Sequence, residues 1–115
     1  MKRGEIFWAE LKPRSGPEQR GRRPVIIVSN DGFNLTPLWR SVVVVPVSTS
    51  ETQAQRGPSA VSLPAGTGGL PRASVALCHQ VTTLDRTKLA ERAGLLPAAL
   101  LVAVEEGLKA TLDLD

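Results

Sequence analysis

The sequence has very few soft metal ligands and no pair of thiols. Its 115 residues include one cysteine, Cys78, and one histidine, His79. A single cysteine excludes an internal disulfide, and two such ligands are too few for a zinc site. Gly66-x-Gly68 lacks the rest of a dinucleotide fingerprint and no helix follows it. We therefore expect no metal and no cofactor.

Long apolar runs are also absent. No run approaches the roughly 20 apolar residues that a membrane span requires, and Met1–Glu5 lacks the apolar core of a signal peptide. We therefore expect a cytoplasmic protein without a membrane partner. The length and the 42% hydrophobic content predict one globular domain over residues 1–115.

The charge is unevenly distributed along the chain. Residues 1–92 carry 13 Lys or Arg against 7 Asp or Glu, whereas residues 93–115 carry one lysine and four acids. The basic part suits a polyanionic partner, although charge of this size also occurs on ordinary protein surfaces.

The predicted secondary structure is mainly strand, with one long helix at the end. Runs of β-branched and alternating apolar residues predict six strands, at Ile6–Leu11, Pro24–Ser29, Ser41–Val47, Ser59–Leu63, Ser74–Gln80 and Glu91–Leu96. Short connections between these strands favour a curved antiparallel sheet or a small barrel covered by the C-terminal helix. Thr83 or Asp85 is expected to cap a short turn, and Trp8 to belong to the core.

Helical periodicity is clear in Pro97–Leu112, where leucine and valine form one apolar stripe. Glu105 and Lys109 are spaced to form an i,i+4 ion pair on the wet side of this helix. Gly107 is unfavourable inside a helix by about 1 kcal/mol. It therefore marks a close approach, either to the sheet or to another subunit.

The segment Gly16–Asn30 holds an arginine against the start of a buried strand. Arg23 precedes Pro24, which restricts the backbone of Arg23 to an extended conformation. Its guanidinium can bind an anion or stabilise developing negative charge, but it cannot act as a base. The alternative interpretation is that Arg23 is an ordinary surface arginine at the start of a strand. Four hydroxyl side chains follow the strand of valines, at Ser48, Thr49, Ser50 and Thr52. They can form hydrogen bonds either with the local backbone or with a bound phosphate.

Several segments, in this order and spacing, together resemble the MazF/PemK toxins of bacterial toxin–antitoxin pairs. They are Lys2–Trp8, Gly16–Gln19 with Gly21–Pro24, Val45–Thr49, Ser74–Val75 through Gln80–Val81 with Leu84–Asp85, and Glu106–Lys109. The resemblance implies an SH3-like barrel with added helices, forming a homodimer whose RNA groove crosses the subunit interface.

The resemblance also implies an activity and partners. The activity is metal-independent, sequence-specific cleavage of single-stranded RNA that leaves 2′,3′-cyclic phosphate and 5′-hydroxyl ends. A cognate, MazE-like antitoxin would lie across the dimer through its C-terminal segment, and operator DNA would be reached only through that antitoxin.

In such toxins the arginine before the proline is catalytic, and Arg23 matches it. The usual threonine partner aligns with Ser48, and Thr49 is adjacent. Some relatives have an arginine and an acid where this chain has Leu77 and His79, so a mechanism that uses that acid is not transferred. The general base and acid are therefore unassigned.

Polar side chains near these positions are the expected substrate contacts, because single-stranded RNA exposes its base edges. The candidates are Glu18, Gln19, Ser29, Asn30, His79 and Gln80. Glu18 could instead hold a neighbouring arginine, and His79 is more often a structural residue than a catalytic one. With so few aromatic residues, base stacking is expected to be limited.

Two other functions fit the same chain. A gyrase-poisoning toxin of this fold acts through the end of its last helix, but Thr111–Asp115 is acidic and has no aromatic residue. The second alternative function is that of a small barrel that binds nucleic acid without cutting it. A metal-dependent nuclease is disfavoured, because Glu5, Glu10, Glu18 and Asp31 show no two-metal spacing.

Overall fold

The computed structural model describes residues 1–12, 21–49, 55 and 57–115, and within these residues it has seven strands, a short helix and a long C-terminal helix. The predicted contacts Glu18 and Gln19, and the hydroxyls of Ser50 and Thr52, lie outside these residues. The strands are β1 Glu5–Leu11, β2 Gly21–Ile27, β3 Ser41–Ser48, β4 Ala60–Leu63, β5 Ser74–Leu77, β6 Thr82–Asp85 and β7 Leu89–Leu95. The helices are α1 Asp31–Asn34 and α2 Ala98–Leu112. Within the described residues, no helix is long and apolar enough to cross a bilayer.

The sheet is antiparallel and is centred on β3. The strand order is β4-β5-β3-β2-β1-β7, and β6 pairs with β3 beside this path. On one side β3 pairs with β2, and on the other it pairs first with β6 at 41–44 and then with β5 at 47–48. In the described part no ladder joins the edge strands β4 and β7, so the sheet is curved and open. The predicted mainly β fold with a C-terminal helix is confirmed.

Each face of β3 lies in a hydrophobic core. Val42 and Val44 pack with Val25 and Ile27 on one face. Val45 and Val47 pack on the other face with a cluster that includes Val104 of α2. Alternate side chains of a strand point to opposite faces, so a run of valines can fill both cores. The predicted burial of this strand on both faces is confirmed.

Helix α2 is fixed to the sheet through Gly107 and Glu105. A Cβ atom at Gly107 would lie 3.2 Å from Cγ2 of Val61 in β4 and 2.7 Å from Sγ of Cys78 in the turn after β5, which confirms the predicted close approach to the sheet. The predicted Glu105–Lys109 pair is wrong. Glu105 pairs with Arg3 at 2.6 Å, and Lys109 lies 3.4 Å from Glu106. Glu105 therefore joins the helix to the N-terminal segment.

We expect Gly107→Ala to destabilise the protein. The added methyl would also approach Cγ2 of Val61 at 3.2 Å, and overpacking of a core typically costs about 1–3 kcal/mol. The gain in helix propensity is about 1 kcal/mol, so the net change is destabilising. Thermal unfolding measures it. Adding Cys78→Ala should restore part of the loss, and a higher Tm for Gly107→Ala alone would contradict the close packing.

The Cys78 thiol is expected to be inert in the folded protein. Its Sγ is fully buried and lies 3.6 Å from the carbonyl oxygen of Val104, to which it donates. Burial raises the pKa of this thiol to about 11, well above the unfolded value of about 8.5. Burial of the neutral thiol contributes fully to the free energy of unfolding below the pKa of the unfolded chain, and this contribution declines as the pH rises toward 11. Ellman's reagent at pH 8 should label the thiol only as denaturant unfolds the chain. Rapid labelling of native protein would contradict this burial.

The segment from Ser74 to Leu89 differs most from the prediction. The strand expected to reach Gln80 ends at Leu77, and Cys78–Gln80 forms a 3₁₀ turn. This turn leads the chain from β5 to β6, which pairs with the other end of β3 and was not predicted. The predicted cap is confirmed at Asp85, whose Oδ1 accepts from the backbone N–H of Thr87 at 2.9 Å.

Candidate active site

The ladder between β2 and β3 stops at Val25, opposite Pro46. The backbone N–H of Val28 donates to the carbonyl oxygen of Val43 in β3. Because the backbone polar groups of alternate residues point to the same side of a strand, those of Ile26 and Pro24 also point toward β3. The next hydrogen-bonded pair would need an N–H from Pro24, which proline lacks. The ladder therefore cannot continue past Val25.

Beyond this point the two strands keep their other partners. β2 remains paired with β1 down to Gly21, and β3 remains paired with β5 through Ser48. A cavity of about 190 Å³ opens beside the interrupted ladder. It is lined by Trp8, Arg23, Pro24, Val47, Ser48, Thr49, Leu70, Pro71, Arg72 and Ser74.

The structure brings Arg23, Ser48 and Thr49 together in this cavity. Continuing the β2–β3 register past Val25 and Pro46 places Arg23 opposite Ser48. Ser48 is buried, with 7% of its surface exposed, whereas Arg23 and Thr49 are exposed. A guanidinium and a buried hydroxyl at facing positions can bind the same anion.

A second arginine in the lining was missed. Arg72 follows Pro71 just before β5, and the hydroxyl of Ser74 donates to the carbonyl oxygen of Arg72 at 2.9 Å. The available signal was the one used for Arg23, a basic residue just before a buried strand. Within the described residues the lining contains two arginines and no acid, so the site favours anions.

Trp8 was expected in the core, but it is half-buried and lines the cavity. The Cζ atom of Arg22 lies 5.3 Å from the centre of the indole ring, within the range of a cation–π interaction. Arg22 also pairs with Glu91 at 3.3 Å. These contacts hold the indole at the edge of the site.

Ser29 and Asn30 lie beyond the other end of β2, about 20 Å from Arg23 at the usual rise of a strand. Ser29 is buried and donates to Oδ1 of Asn34 at 2.6 Å, and it accepts from the N–H of Val43 at 3.1 Å. Oδ1 of Asn30 accepts from Gly32 at 2.6 Å and caps α1. These bonds give both side chains a local structural role.

His79 and Gln80 lie in the 3₁₀ turn between β5 and β6 and do not line the cavity. Nε2 of His79 is 3.5 Å from the side-chain nitrogen of Gln80. The structure therefore does not bring these two candidates to Arg23.

The acids with shifted pKa values lie outside the cavity and support the fold. Hydrogen bonds from the backbone and side chain of Thr87, and then from Arg40, lower the pKa of Asp85 to about 2. Burial raises the pKa of Glu5, but bonds from Arg92 and Lys2 outweigh this and leave it lowered. Across the described ranges, no three His, Cys, Asp or Glu side chains are grouped to hold a metal ion.

Comparison with known proteins gives relatives along the whole chain. Endoribonuclease MazF6 of Mycobacterium tuberculosis H37Rv is 41% identical over 114 residues, covering 99% of this chain and 98% of the relative. The crystal structure of MazF from Deinococcus radiodurans has a TM-score of 0.80 and 30% identity, covering 99% of this chain and 97% of that one. A MazE–MazF structure from the same organism has a TM-score of 0.75 and 28% identity, covering 100% and 98%.

The profile of the PemK-like, MazF-like toxins of type II toxin–antitoxin systems matches residues 2–112, which is nearly the whole chain. Sequence and fold therefore agree with the resemblance found in the sequence. The chain belongs to the PemK-like, MazF-like toxin family of type II toxin–antitoxin systems.

Proposed function

We propose that this toxin is an endoribonuclease that cuts single-stranded RNA at specific sequences without a metal ion. The observation that carries the proposal is the cavity that Arg23 and Ser48 line together, to which Arg72 adds a second positive charge. The M. tuberculosis relative, 41% identical, is an endoribonuclease. Two guanidinium groups can supply the positive charge that a metal ion supplies in other nucleases.

The proposed reaction is an internal transesterification. The ribose 2′-oxygen attacks the adjacent phosphorus and loses its proton, while the bond from phosphorus to the 5′-oxygen breaks. The departing 5′-oxygen takes up a proton, so the products are a 2′,3′-cyclic phosphate and a 5′-hydroxyl. Arg23 stabilises the charge on the pentacoordinate phosphorus, and Ser48 orients a phosphate oxygen or the nucleophile.

The proton-transfer groups are not among the side chains that line the cavity in the described residues. Guanidinium groups stay protonated and cannot accept the 2′-proton. Hydroxyl groups are weak bases at neutral pH. We therefore leave the general base and acid unassigned and give the lining residues the roles of charge stabilisation and positioning.

The proposed partners follow from the family and from the structure of MazE with MazF in D. radiodurans. We propose that a cognate antitoxin binds this toxin and holds it inactive. The toxin acts as a homodimer, with the RNA groove crossing the subunit interface. Operator DNA is contacted only through the antitoxin.

His79→Ala is expected to leave both the cleavage rate and its pH dependence unchanged. His79 lies in the turn between β5 and β6, outside the cavity that holds Arg23. A proton-transfer group must lie within hydrogen-bond reach of the reacting atoms. The measurement is the cleavage rate across the neutral pH range. If the variant loses activity, or if one limb of its pH–rate profile disappears, His79 acts as a general acid or base.

The function is tested by incubating antitoxin-free protein with a long single-stranded RNA in excess EDTA. Cuts at discrete sites with cyclic-phosphate and 5′-hydroxyl ends are expected. Arg23→Ala controls for contaminating nucleases, and Lys88→Ala, an exposed residue outside the cavity, controls for the lost charge. Failure of the folded protein to cut would overturn the proposal. Inhibition of gyrase by that protein would identify a gyrase toxin, and RNA binding without cutting would identify a binding barrel.

A further inference from the structure

We propose that a pocket beside Trp39 binds the segment Leu112–Asp115 of a second copy of this chain. The pocket is far from the candidate active site, because Trp39 precedes β3 and Ser48 ends that strand, more than about 20 Å away at the usual rise. The inference supplies a contact for the proposed homodimer. It rests on that part of the proposed function and does not depend on RNA cleavage.

The apolar part of the pocket is exposed to solvent. Phe33 and Trp39 stack with their ring centres 4.7 Å apart, and both rings are only half-buried. Leu38 beside Trp39 is 91% exposed, and Leu35 is exposed as well. Single exposed apolar residues are ordinary, whereas a contiguous group of them marks a surface that binds a partner.

Arg86 holds the segment that carries these side chains in place. Its guanidinium donates to the carbonyl oxygens of Phe33, Thr36 and Trp39. The cavity between this segment and Arg86 has a volume of about 330 Å³, room for roughly eleven water molecules at their share of liquid volume. A leucine side chain with a carboxylate beside it fits such a space. Because the pocket is already formed, little conformational entropy is lost when it is filled.

The polar rim of the pocket is basic. Arg86 contacts backbone carbonyls, and within the described residues no acid forms an ion pair with it. Arg40 pairs with Asp85 at 3.1 Å, but its side chain is 76% exposed and can donate to a second carboxylate as well. One acid therefore lies among two arginines. The pocket favours an apolar group that carries negative charge beside it.

The segment Leu112–Asp115 has the complementary chemistry. It alternates two leucines with two aspartates, and all four residues are exposed. Since both leucines are exposed, the segment does not fill the pocket of its own chain. A second copy can supply the same segment to that pocket.

The backbone of the segment is ordered before it binds. Asp113 has a positive φ of 56°, and the N–H of Leu114 donates to the carbonyl oxygen of Lys109 at 2.9 Å. This is a helix C-terminal cap, which fixes the direction in which the chain leaves α2. Leu114 and its two neighbouring acids are therefore carried on a fixed backbone.

In the proposed contact, Leu114 packs against Leu38 and Trp39, and the acids on either side of it pair with the arginines of the rim. In a dimer with twofold symmetry the contact forms twice, because the segment of each copy enters the pocket of the other. Each substitution in the contact therefore acts at two places in the dimer.

The first test measures the dimer Kd by sedimentation velocity over a dilution series. Leu38→Ser and Leu114→Ser should each raise the Kd by roughly 10- to 100-fold, because each removes two apolar contacts from the dimer. Both leucines are exposed, so the fold of each copy should be retained, which circular dichroism checks. Val102→Ser, an exposed apolar residue of α2 outside both surfaces, is the matched control and should leave the Kd unchanged.

The second test reverses charges across the contact. Arg40→Asp and Asp115→Arg should each weaken the dimer, and the double variant should recover part of the lost affinity, because opposite charges face each other again. Lys12→Asp makes the same change of charge at an exposed residue after β1 and should have little effect. A double variant that dimerises no better than Arg40→Asp would contradict the pairing.

The third test uses Trp39 as a reporter. Trp8→Phe leaves Trp39 as the only tryptophan. Its emission should move to longer wavelength as dilution separates the dimer, because the indole is then exposed to water. With Leu114→Ser added, the shift should occur at a higher protein concentration. Emission that does not change while the dimer separates would overturn the contact.

The outcomes separate this inference from the proposals beside it. If all three single substitutions leave the dimer intact, the contact is overturned and the homodimer uses another interface. If only Leu38→Ser weakens the dimer, the pocket binds another part of the second copy and the segment is overturned as its occupant. If Leu38→Ser instead weakens binding of 2′-O-methyl RNA and leaves the dimer intact, the pocket belongs to the RNA site. A wild-type protein that stays monomeric overturns both the contact and the homodimer, and cleavage of RNA by that monomer would leave the nuclease standing.

Discussion

Replacing Arg23 with alanine should lower the rate of RNA cleavage by about 10²–10³-fold, the usual effect of removing one donor that stabilises transition-state charge. Arg23 reaches the cavity from the point where Pro24 stops the ladder. Its side chain is exposed, so the substitution removes a charged donor without opening the core. The single-turnover rate on a short RNA with one cleavage site measures the effect.

Arg23→Lys separates charge from geometry. Lysine keeps the positive charge but lacks the planar fork that binds two phosphate oxygens at once. We expect this variant to regain only a small part of the lost rate. Recovery to the wild-type rate would show that charge alone is required.

RNA binding should largely survive Arg23→Ala, because Arg72 and the other basic residues remain. Equal losses of binding and of rate, measured with 2′-O-methyl RNA, would indicate a binding residue instead of a catalytic one. A rate within about threefold of wild type would contradict the catalytic role, since the expected loss is far larger.

The sequence predicted the elements whose local pattern and tertiary role agree. The valines of β3 fill two cores, and the apolar stripe of α2 packs on one of them. β6 was missed because Thr82–Asp85 contains a good turn cap, Asp85, and its pairing partner is about forty residues earlier in β3. The predicted extension of β5 to Gln80 was wrong, because the chain turns at Cys78. This turn takes it from β5, which pairs with the end of β3, to β6, which pairs with the start of β3.

The residues of the candidate site also differ in whether a local sequence pattern reveals their role. Arg23 carried a local signal, an arginine fixed by Pro24 before a buried strand. Arg72 had a similar signal, but its meaning depends on the pairing of β5 with β3, which no local pattern reveals. Trp8 could not be assigned from its strand position, because core and cavity lie on the same face of β1. Glu105 met Arg3 instead of Lys109, since the N-terminal segment lies against α2.

Ser48→Ala should also lower the cleavage rate by about 10²–10³-fold, whereas Thr49→Ala should have a much smaller effect. Ser48 lines the same cavity as Arg23, at the position that the β2–β3 register would place opposite Arg23 if it continued past Val25, and its side chain is buried at the end of β3. Thr49 lies after the strand and is exposed. A buried hydroxyl is held in one position and can orient a phosphate oxygen, whereas an exposed one has more freedom.

The pair of variants gives a sharp comparison because neither change alters the net charge. Both remove one hydroxyl, so a difference between them cannot come from long-range electrostatics. Ser48→Thr retains the hydroxyl and should keep substantial activity, limited by the extra methyl group in a buried site. If Thr49→Ala instead loses activity while Ser48→Ala remains active, the catalytic hydroxyl belongs to Thr49. If both remain active, Arg23 acts without a hydroxyl partner in this cavity, and its charge alone must account for the stabilisation of the phosphorane.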